Sequence, residues 1–437
     1  MNRRARTRPT LAMTPLLACA LLAGTACTEL TALKQDNPGQ LSAATIYTPV
    51  NAQLLVNGAI ADFECAFSRY VVGSGVFTDE LSNAIGNTGN YDYDRRTLTT
   101  NAPYGTQQCS AANQTAGIYT TLSTARASAD TIAAKLRGYT DAEMPLGVNR
   151  TRLIGQAAAY AGYSLVLLGE GMCSGAINVG PELTPAQLFA EAKIRFDSAV
   201  VAATAANDQT TLNFAYLGRA RTLLNLNNVA AAAVDAARIP AGFVVATSTD
   251  AITVRRQNFV FVSINNNNWA TVDASFRGLT INGAPDPRVA VTNTGRAGTA
   301  QGSQIFTPDK YPSITTAMPI ARYAEAQLIV AEARLATGDL AGAATAINAV
   351  RAARPTLPTY SATGQTAAEV RAQIIEERRR ELFLEGHRLG DLRRYGLAFT
   401  PAAGTAFPGG GGTYGTQTCF PLPDVERINN PTIAGRS

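Results

Sequence analysis

The feature that most constrains the fold of this chain is a paired helical pattern in its C-terminal half. Residues 322–354, RYAEAQLIVAEARLATGDLAGAATAINAVRAAR, have apolar residues three and four apart on both sides of a Thr-Gly-Asp turn. That spacing is typical of two amphipathic helices joined by a short turn. Residues 213–239, NFAYLGRARTLLNLNNVAAAAVDAARI, follow the same plan and break near Asn227 and Asn228. Because small residues near such turns let helices approach closely, both segments predict tetratricopeptide-like helix pairs with a shared core.

Three further segments predict helices, because each has apolar residues at helical spacing. They are residues 115–136, 151–169 and 184–203. The third starts with Thr184, Pro185 and Gln187, a capping-box arrangement with proline at the first helical position. Residues 240–320 instead contain β-branched residues, runs of asparagine and Asp-Pro turns, which predict loops and short strands. We therefore expect a mostly α-helical fold of tetratricopeptide-like pairs with irregular loop and short-strand inserts.

Residues 1–26 predict a secretory signal. They place four arginines and no acid before an apolar run that ends in small residues, which is the pattern of an export signal. A membrane anchor helix is the alternative, but Pro15 and Gly24 interrupt the run and leave it short for a helix that crosses a bilayer. Export would place the rest of the chain in an oxidising compartment.

Cys27 follows these small residues, an arrangement that resembles the lipidation site of bacterial lipoproteins. Cys19, in LLAC, fits the pattern locally but would leave an apolar start to the mature chain. Acyl chains anchor a protein because each buried methylene contributes about 0.8 kcal/mol. We expect Cys27 to be lipidated, residues 27–45 to form a polar tether, and residues 46–437 to be one domain with an insert at about 240–320.

Charge and histidine content exclude several functions. The formal net charge is +5, but the signal carries four arginines and no acid, so the remaining chain has a net charge of +1. Nucleic acid is therefore not an expected partner. The single histidine, His387, excludes a metal site of several histidines, and we expect it at a helix end or in packing. No cofactor or metal is expected, because glycines 409–412 lack the Lys-Ser/Thr of a phosphate loop and NYDYD lacks the glycine and distal glutamate of a calcium loop.

Four cysteines remain beyond Cys27, namely Cys65, Cys109, Cys173 and Cys419. An even number in an exported protein favours disulfides, and four cysteines allow three connectivities. We prefer Cys65–Cys109 with Cys173–Cys419, because the first two are close in sequence. Four buried free thiols are the alternative. Since there is no C-x-x-C spacing, a zinc or redox site is poorly supported.

Residues 374–396, IIEERRRELFLEGHRLGDLRRYG, crowd charges of both signs among apolar residues. When residues 370–392 are placed on one helix, apolar and charged residues share one face. That face carries Val370, Ile374, Leu382, Leu389 and Leu392 together with Arg378, Glu381, Glu385 and Arg388. The opposite side, with Glu376, Arg379 and Arg380, is expected to be a solvated surface. Charges on an apolar face are costly unless they are paired.

The first helix of the pair at 322–354 offers partners, because Arg322, Glu325 and Glu332 lie on the side of its Ile329. We expect these three residues and the four charges on the apolar face to form a structural ion network. The alternative is a catalytic carboxylate pair of the kind that hydrolyses glycosides. Each carboxylate has an arginine within helical reach, so we expect lowered pKa values, which suit a scaffold better than a general acid.

Several segments occur together in this chain: the Cys27 start, TPVNAQLLVNGAIADFE, the pair at 322–354, ERRRELFLEGHRLGDLRR, and a terminal FPLPDVERINNP. This combination resembles the RagB/SusD family of nutrient-uptake outer-membrane lipoproteins. The resemblance implies a helical fold with tetratricopeptide-like pairs, a lipid anchor on the outer face of the outer membrane, and a binding protein rather than an enzyme. It also implies capture of oligosaccharides or peptides, delivery to a TonB-dependent β-barrel transporter of the SusC type, and a scaffold role for the seven charged residues.

Glycan-binding members of the family stack sugars on aromatic side chains, so the resemblance suggests three candidate ligand-binding residues. They are Trp269, in SINNNNWATVD, and Tyr91 and Tyr93, in GNYDYDRR. The two tyrosines lie within residues 86–106, whose glycine and asparagine content predicts a loop. Because the chain has one tryptophan, peptides and other small nutrients remain open as ligands.

Two functions remain open from the sequence. The first is a cell-surface lipoprotein that captures a nutrient and delivers it to the transporter. The alternative is a periplasm-facing lipoprotein whose helical repeats act as a protein–protein scaffold in envelope assembly. A secreted hydrolase is disfavoured by the single histidine and by the absence of a G-x-S-x-G motif.

Overall fold

The computed structural model of the protein describes residues 43–109, 115–300, 302–409 and 411–433. The predicted signal at 1–26, Cys27 and the tether as far as residue 42 lie outside the described residues. Residues 1–48 form one unit and residues 49–437 another. The described part of the first unit contains one helical turn, α1 (Ala43–Ile46). Among the described helices, none is both long and apolar enough to cross a membrane.

Helices make up most of the second unit, with the following bounds in chain order. They are α2 (Ala52–Phe77), α3 (Thr88–Arg95), α4 (Pro103–Thr106), α5 (Tyr119–Arg137), α6 (Arg150–Gly171), α7 (Pro185–Ala205), α8 (Gln209–Asn225), α9 (Val229–Ala236), α10 (Phe259–Phe261), α11 (Tyr323–Ala336), α12 (Leu340–Arg351), α13 (Ala367–Glu381), α14 (Arg388–Tyr395) and α15 (Asp424–Asn429).

The strands in the described residues are short and form antiparallel pairs. They are β1 (Leu81–Asn83) with β5 (Ala270–Val272), β2 (Gly175–Ala176) with β3 (Glu182–Leu183), β4 (Val244–Ala246) with β10 (Pro319–Arg322), β6 (Thr280–Ile281) with β7 (Ala284–Pro285), and β8 (Val291–Ala297) with β9 (Gln304–Pro308).

Successive helices pack on one another along the chain. α5 packs on α6, α6 on α7, α7 on α8, α8 on α9, and α11 on α12. α9 also packs on α11, although more than 80 residues of chain separate them. The pairing of β4 with β10 explains this contact, because it brings the two ends of the intervening segment together. The predicted fold class, mostly helical with paired helices and irregular inserts, is therefore confirmed.

The turns between paired helices share one local chemistry. In each turn, a residue with positive φ is followed directly by an Asp or Asn whose side chain accepts a hydrogen bond from the first turn of the next helix. The three pairs are Asn207 and Asp208, Asn227 and Asn228, and Gly338 and Asp339. Asparagine and glycine tolerate the left-handed conformation that reverses the chain here. The Thr184 capping box at the start of α7 is also present.

Helix α2 is the central element of the second unit. Every residue from Phe63 to Phe77 is buried, as expected of a helix surrounded by protein on all sides. It contacts α5, α6, α10, α14 and β1. Gly73 lets Ile118 approach this helix closely, because a Cβ there would lie 2.6 Å from Cδ1 of Ile118. α2 therefore joins the helical pairs to the loops and short strands.

The prediction of one helix over residues 370–392 is wrong. α13 ends at Glu381 and α14 begins at Arg388, with Leu384 at φ 54° and Gly386 at φ 73° between them. Side chains from distant parts of the chain bind the backbone of this break: the Leu384 amide donates to Glu80 (2.7 Å), and the Tyr311 hydroxyl donates to the Leu384 carbonyl (2.9 Å). Tertiary contacts replace the helical hydrogen bonds that the sequence pattern favours locally.

The prediction of an uninterrupted loop over residues 86–106 is also wrong. This segment contains α3 and α4. The Asn87 side chain caps α3 by accepting from the Gly89 amide at 2.9 Å, and Pro103 occupies the first turn of α4. Both are ordinary helix-start signals, which the high glycine and asparagine content obscures.

Candidate functional site

The charged residues predicted to form a network lie buried or partly buried around the junction of α11, α13 and α14. Arg322 donates to Glu385 at 2.8 Å and to Glu381 at 2.6 Å. Arg354 and Lys310 add further hydrogen bonds to these two glutamates. Burial alone would raise the pKa of Glu381, but the guanidinium groups of Arg322 and Arg354 hold it below its ordinary value. A glutamate held ionised in this way cannot act as a general acid near neutral pH.

The remaining arginines of the network make their shortest ion pairs with acids outside the predicted set. Arg378 donates to Asp391 at 2.8 Å and lies 3.7 Å from Glu332. Arg388 donates to Asp79 at 2.6 and 2.7 Å, which ties α14 to the end of α2. These ion pairs join α11, α13 and α14 to the central helix α2, which is a structural role.

Glu325 is the exception in this network. Its carboxylate lies 4.0 Å from Arg221 and 3.9 Å from His387, but neither carboxylate oxygen has a hydrogen-bond partner. Burial raises its pKa to about 7, against the attraction of Arg221 and Arg378. The expectation that every carboxylate of the network has a lowered pKa is therefore wrong for Glu325. His387 is buried at the start of α14, and burial holds its pKa well below the ordinary value.

The side of α13 predicted to be solvated is partly covered. The guanidinium of Arg379 lies 4.2 Å from the centre of the Phe276 ring, and Arg380 donates to Glu376 and Asp286. Residues 274–286 of the insert cover this side of the helix, which the sequence alone did not reveal. The adjacent Glu377, overlooked in the sequence, is buried between Arg288 and Arg351.

The four cysteines form two disulfides, Cys65–Cys109 and Cys173–Cys419. This is the connectivity preferred from the sequence. Cys65 lies in α2, and its disulfide ties the segment after α4 to the central helix. Cys419 follows the glycine-rich segment, and its disulfide holds the C-terminal segment against the end of α6, where the Phe420 amide donates to the Gly171 carbonyl at 2.9 Å.

The three aromatic candidates for ligand binding are buried, so their prediction as stacking platforms is wrong. Trp269 and Tyr93 have no exposed surface and Tyr91 is 7% exposed. Tyr93 packs edge-on against Trp269 and donates its hydroxyl to the Ala116 carbonyl at 2.8 Å. Tyr91 packs against the Phe407 ring at 5.2 Å. All three residues support the core and the walls around it, because folding covers the faces that a sugar would need.

A different group of residues forms an open cleft beside these rings. Its volume is about 310 Å³, and three separate parts of the chain line it: β1 and α3, the insert from β5 to β9, and the C-terminal glycine-rich segment. The lining residues with polar or aromatic side chains are Ser82, Asn83, Asp94, Thr271, Asp273, Arg277, Ser303, Gln304, Phe407 and Tyr414. We call this site the insert cleft.

The apolar wall of the insert cleft consists of aromatic rings. Phe407 and Tyr414 pack at 5.4 Å between ring centres, and Tyr91 supports Phe407 from the other side. Phe407 is 6% and Tyr414 5% exposed, so only a small part of each ring reaches the cleft. Tyr414 also lies over the guanidinium of Arg96, at 5.1 Å from the ring centre. Aromatic walls beside polar groups are typical of small-molecule sites that bind amphipathic ligands.

The polar wall of the insert cleft combines carboxyl, amide and hydroxyl groups. The backbone amide of Asn83 donates to the Asp94 carboxyl group at 2.7 Å, and the Ser82 hydroxyl donates to Asp273. The side-chain oxygen of Asn83, a residue that is 7% exposed, has no hydrogen-bond partner. Burial, with a smaller effect of Asp273, raises the pKa of Asp94 to about 7. Hydroxyl-rich ligands can both donate to and accept from such a wall.

A larger cavity of about 430 Å³ lies between the ends of α6 and α8 and the side of α14. Its polar groups are already engaged. Glu170 accepts from Arg221 and Asn225, and Arg393 donates to the carbonyls of Gly169, Glu170 and Met172. The insert cleft is therefore the better candidate for ligand binding.

The residues that line the insert cleft were not predicted from the sequence. Asp94 and Tyr414 stood in segments singled out there, NYDYD and GGGGTYGTQ, but as parts of rejected calcium and phosphate loops. A tyrosine in a glycine-rich segment and an acid beside two tyrosines were the available signals. Neither shows that the two segments meet across more than 300 residues of chain.

The family model described as the SusD family matches residues 287–426, the part that contains α11 to α14 and the charged network. No curated protein sequence matches this chain.

Solved structures extend the likeness to the rest of the fold. A SusD superfamily protein from Bacteroides vulgatus ATCC 8482 aligns with a TM-score of 0.60 and 16% identity, over 86% of this chain and 97% of that one. Surface glycan-binding protein A from Bacteroides thetaiotaomicron aligns with a TM-score of 0.65 and 15% identity, over 88% and 98% of the two chains. The same protein in complex with laminarihexaose gives a TM-score of 0.64 and 14% identity, over 88% and 98%.

At these identities the structural likeness establishes the fold: this is a helical-repeat protein with the SusD-like architecture. The sequence of residues 287–426 independently matches the SusD family, so this part of the chain and the overall fold agree in their likeness. The resemblance found in the sequence is thereby confirmed.

Proposed function

We propose that this protein is a lipid-anchored, cell-surface binding protein that captures oligosaccharides in the insert cleft and delivers them to a TonB-dependent outer-membrane transporter of the SusC type. The observation that carries the capture step is the cleft itself, where Phe407 and Tyr414 face a wall of hydrogen-bonding side chains. The match of residues 287–426 to the SusD family supports the delivery step, and the sequence pattern up to Cys27 supports the lipid anchor and export.

Oligosaccharides suit the insert cleft better than peptides. A sugar has hydroxyl groups that hydrogen-bond to side chains such as Ser82 and Gln304, and its apolar face contacts the parts of Phe407 and Tyr414 that reach the cleft, since these rings are 6% and 5% exposed. A volume of about 310 Å³ is at the small end of small-molecule sites, which range from about 300 to 1,000 Å³. The cleft therefore suits the end or a short stretch of a glycan chain. That a structural relative was solved with laminarihexaose is consistent with this ligand class.

Isothermal titration calorimetry with laminarihexaose, maltoheptaose and short neutral peptides tests the capture step. We expect an oligosaccharide to bind and the peptides not to bind. Gln304→Ala and Tyr414→Ala should each weaken binding about tenfold, which corresponds to about 1.4 kcal/mol. Gln304 is exposed, so its substitution leaves the core intact.

Tyr216→Ala is the matched control for Tyr414→Ala, because Tyr216 lies on α8 and packs against Arg219 and Arg238 away from the cleft. It should leave affinity unchanged. Binding of peptides alone would assign a different nutrient to the protein. Loss of sugar length during incubation would show hydrolysis and contradict a binding protein without catalytic activity.

Purification of the lipidated protein in detergent, followed by mass spectrometry, tests the delivery step. We expect a large TonB-dependent barrel to copurify in near-equal amount. The Cys27→Ala variant of the protein should lose its attachment to the cell surface. Digestion of the protein by protease added to intact cells tests surface exposure. Protection from protease, together with copurification of envelope-assembly factors, would favour the periplasm-facing scaffold instead.

A further inference from the structure

Asp94 has an unusual position in the insert cleft. It lies in the last turn of α3, is 6% exposed, and forms part of the cleft wall. One carboxyl oxygen accepts from the Asn83 backbone amide at 2.7 Å. In the described residues, no arginine or lysine lies within 4 Å of it to form an ion pair. An acid in such a site favours its neutral form.

The charged and titratable groups that face Asp94 come from several elements. Asp273, after β5, lines the same cleft and adds negative charge. Arg277 also lines the cleft, and its guanidinium donates to the Val272 carbonyl. Arg96, just after α3, is the nearest opposing charge, but its guanidinium donates to the Pro401 carbonyl and lies over the rings of Phe399 and Tyr414. Burial and the charge of Asp273 outweigh Arg96 and raise the pKa of Asp94 to about 7.

We propose that Asp94, in its protonated form, donates a hydrogen bond to an oxygen of the bound sugar, and that ligand binding in the insert cleft is coupled to this proton. The inference rests on the proposed capture of oligosaccharides. A neutral carboxyl group both donates and accepts, as a sugar hydroxyl does.

The sign of the coupling follows from desolvation. A ligand in the cleft removes the remaining water from Asp94, which has no cationic partner and shares the cleft with Asp273. Ionised Asp94 therefore costs more free energy in the bound state than in the free state. Binding favours the protonated form and weakens as pH rises through 7.

The expected size of the effect is about tenfold. If only the protonated form is competent and its pKa is about 7, the competent fraction falls about tenfold between pH 6 and pH 8. The apparent dissociation constant rises by the same factor. Asp94→Asn keeps a hydrogen-bond donor and cannot ionise, so it should bind with the same affinity at pH 6 and pH 8. Asp94→Ala should bind the oligosaccharide more weakly at both pH values.

Calorimetry with laminarihexaose and maltoheptaose at pH 6, 7 and 8, in two buffers with different ionisation heats, measures both affinity and proton uptake. Asp309→Asn is the matched control, because Asp309 is exposed and lies outside the cleft. It should keep the wild-type pH dependence. Circular dichroism of each variant separates loss of binding from loss of fold.

The outcomes separate the two proposals. Binding by the wild type with no proton uptake, tighter binding at pH 8 than at pH 6, or an unchanged pH dependence in Asp94→Asn would each overturn the role of Asp94 and leave capture in place. Failure of both oligosaccharides to bind at every pH would overturn the proposed capture of these glycans and, with it, the coupling.

Discussion

Single charged residues in this protein differ widely in how much they stabilise the fold, because they differ in burial and in their ion-pair partners. Arg322 is 15% exposed in its side chain and bonds to Glu381 and Glu385, which are 1% and 2% exposed. Arg334 is 58% exposed and faces Asp339, which is 40% exposed. Both arginines belong to the same helical pair, yet only the first ion pair is shielded from water.

Arg322→Met should destabilise the protein by about 3 kcal/mol, because it leaves buried carboxylates without their main partner. Arg334→Met should change stability by less than about 0.5 kcal/mol, because exposed ion pairs are weak. Urea denaturation followed by circular dichroism measures both. Equal effects of the two substitutions would show that the buried network does not hold these helices together.

Glu325 should make stability depend on pH in a defined direction. Its pKa in the folded protein is raised to about 7 from an ordinary value of 4.5. The contribution of Glu325 to the free energy of unfolding is therefore fully present below pH 4.5 and is lost as pH rises through 7, because the unfolded chain ionises this group more easily. Glu325→Gln should be more stable than the wild type at pH 8, on the order of 2 kcal/mol, and nearly equal to it at pH 4.5.

The measurement is the free energy of unfolding in urea at pH 4.5, 6 and 8. Glu182→Gln serves as the control, because Glu182 is exposed in β3 and should leave the pH profile unchanged. A Glu325→Gln variant that follows the wild-type pH profile would contradict a buried, incompletely paired carboxyl group. Arg221 keeps Glu170 as a partner in this variant, so no new unpaired charge is created.

Among the elements, the helix pairs depend on the conformation of their turns. Gly338 has φ 77° and opens the turn between α11 and α12. Gly338→Ala should destabilise the protein by about 1 kcal/mol, because alanine is strained at positive φ. A Cβ at this position meets no atom within 4 Å, so backbone strain alone is tested.

Gly58→Ala should have the opposite effect on stability. Gly58 lies exposed within α2, and a Cβ there also meets no atom within 4 Å. Alanine should stabilise this helix by about 0.5–1 kcal/mol. Thermal unfolding of both variants under one condition compares them directly, and a shift of the same sign in both would exclude turn conformation as the cause.

At the scale of the whole molecule, the C-terminal segment closes the fold. Phe420 is buried among the rings of Phe77, Tyr93 and Tyr104, and its backbone pairs with the end of α6. Gln417 exchanges hydrogen bonds with the backbone of Leu98. The last part of the chain thus fixes the segment between α3 and α4 and places Tyr414 in the insert cleft.

The two disulfides should differ in their effect on stability. Cys173–Cys419 joins residues 246 apart, and Cys65–Cys109 joins residues 44 apart. Loop-closure entropy grows with the logarithm of loop length, so removal of the first should cost about 1.5 kcal/mol more than removal of the second. Unfolding of Cys173→Ser/Cys419→Ser and Cys65→Ser/Cys109→Ser in denaturant measures the difference. A larger effect of the shorter loop would show that local strain or packing outweighs chain entropy here.

Much of the helical framework could be predicted from the sequence, because its signals are local. Apolar spacing, the Thr184 capping box and the Asn-Asn and Thr-Gly-Asp turns act within a few residues of one another, and each appears in the structure as expected. The family resemblance also depended on contiguous segments. The break between α13 and α14 escaped prediction because Glu80 and Tyr311, distant in sequence, stabilise it.

The sequence by itself determined the fold class, the helix pairs and the choice of charged residues that join them. Tertiary structure alone decided which aromatic rings are buried, which carboxyl groups lack a partner, and where a ligand fits. The physical reason is that burial and charge pairing depend on groups that fold together from distant positions, as Asn83, Asp94, Asp273 and Tyr414 do in the insert cleft. Local spacing specifies a helix, but only packing determines what surrounds a side chain.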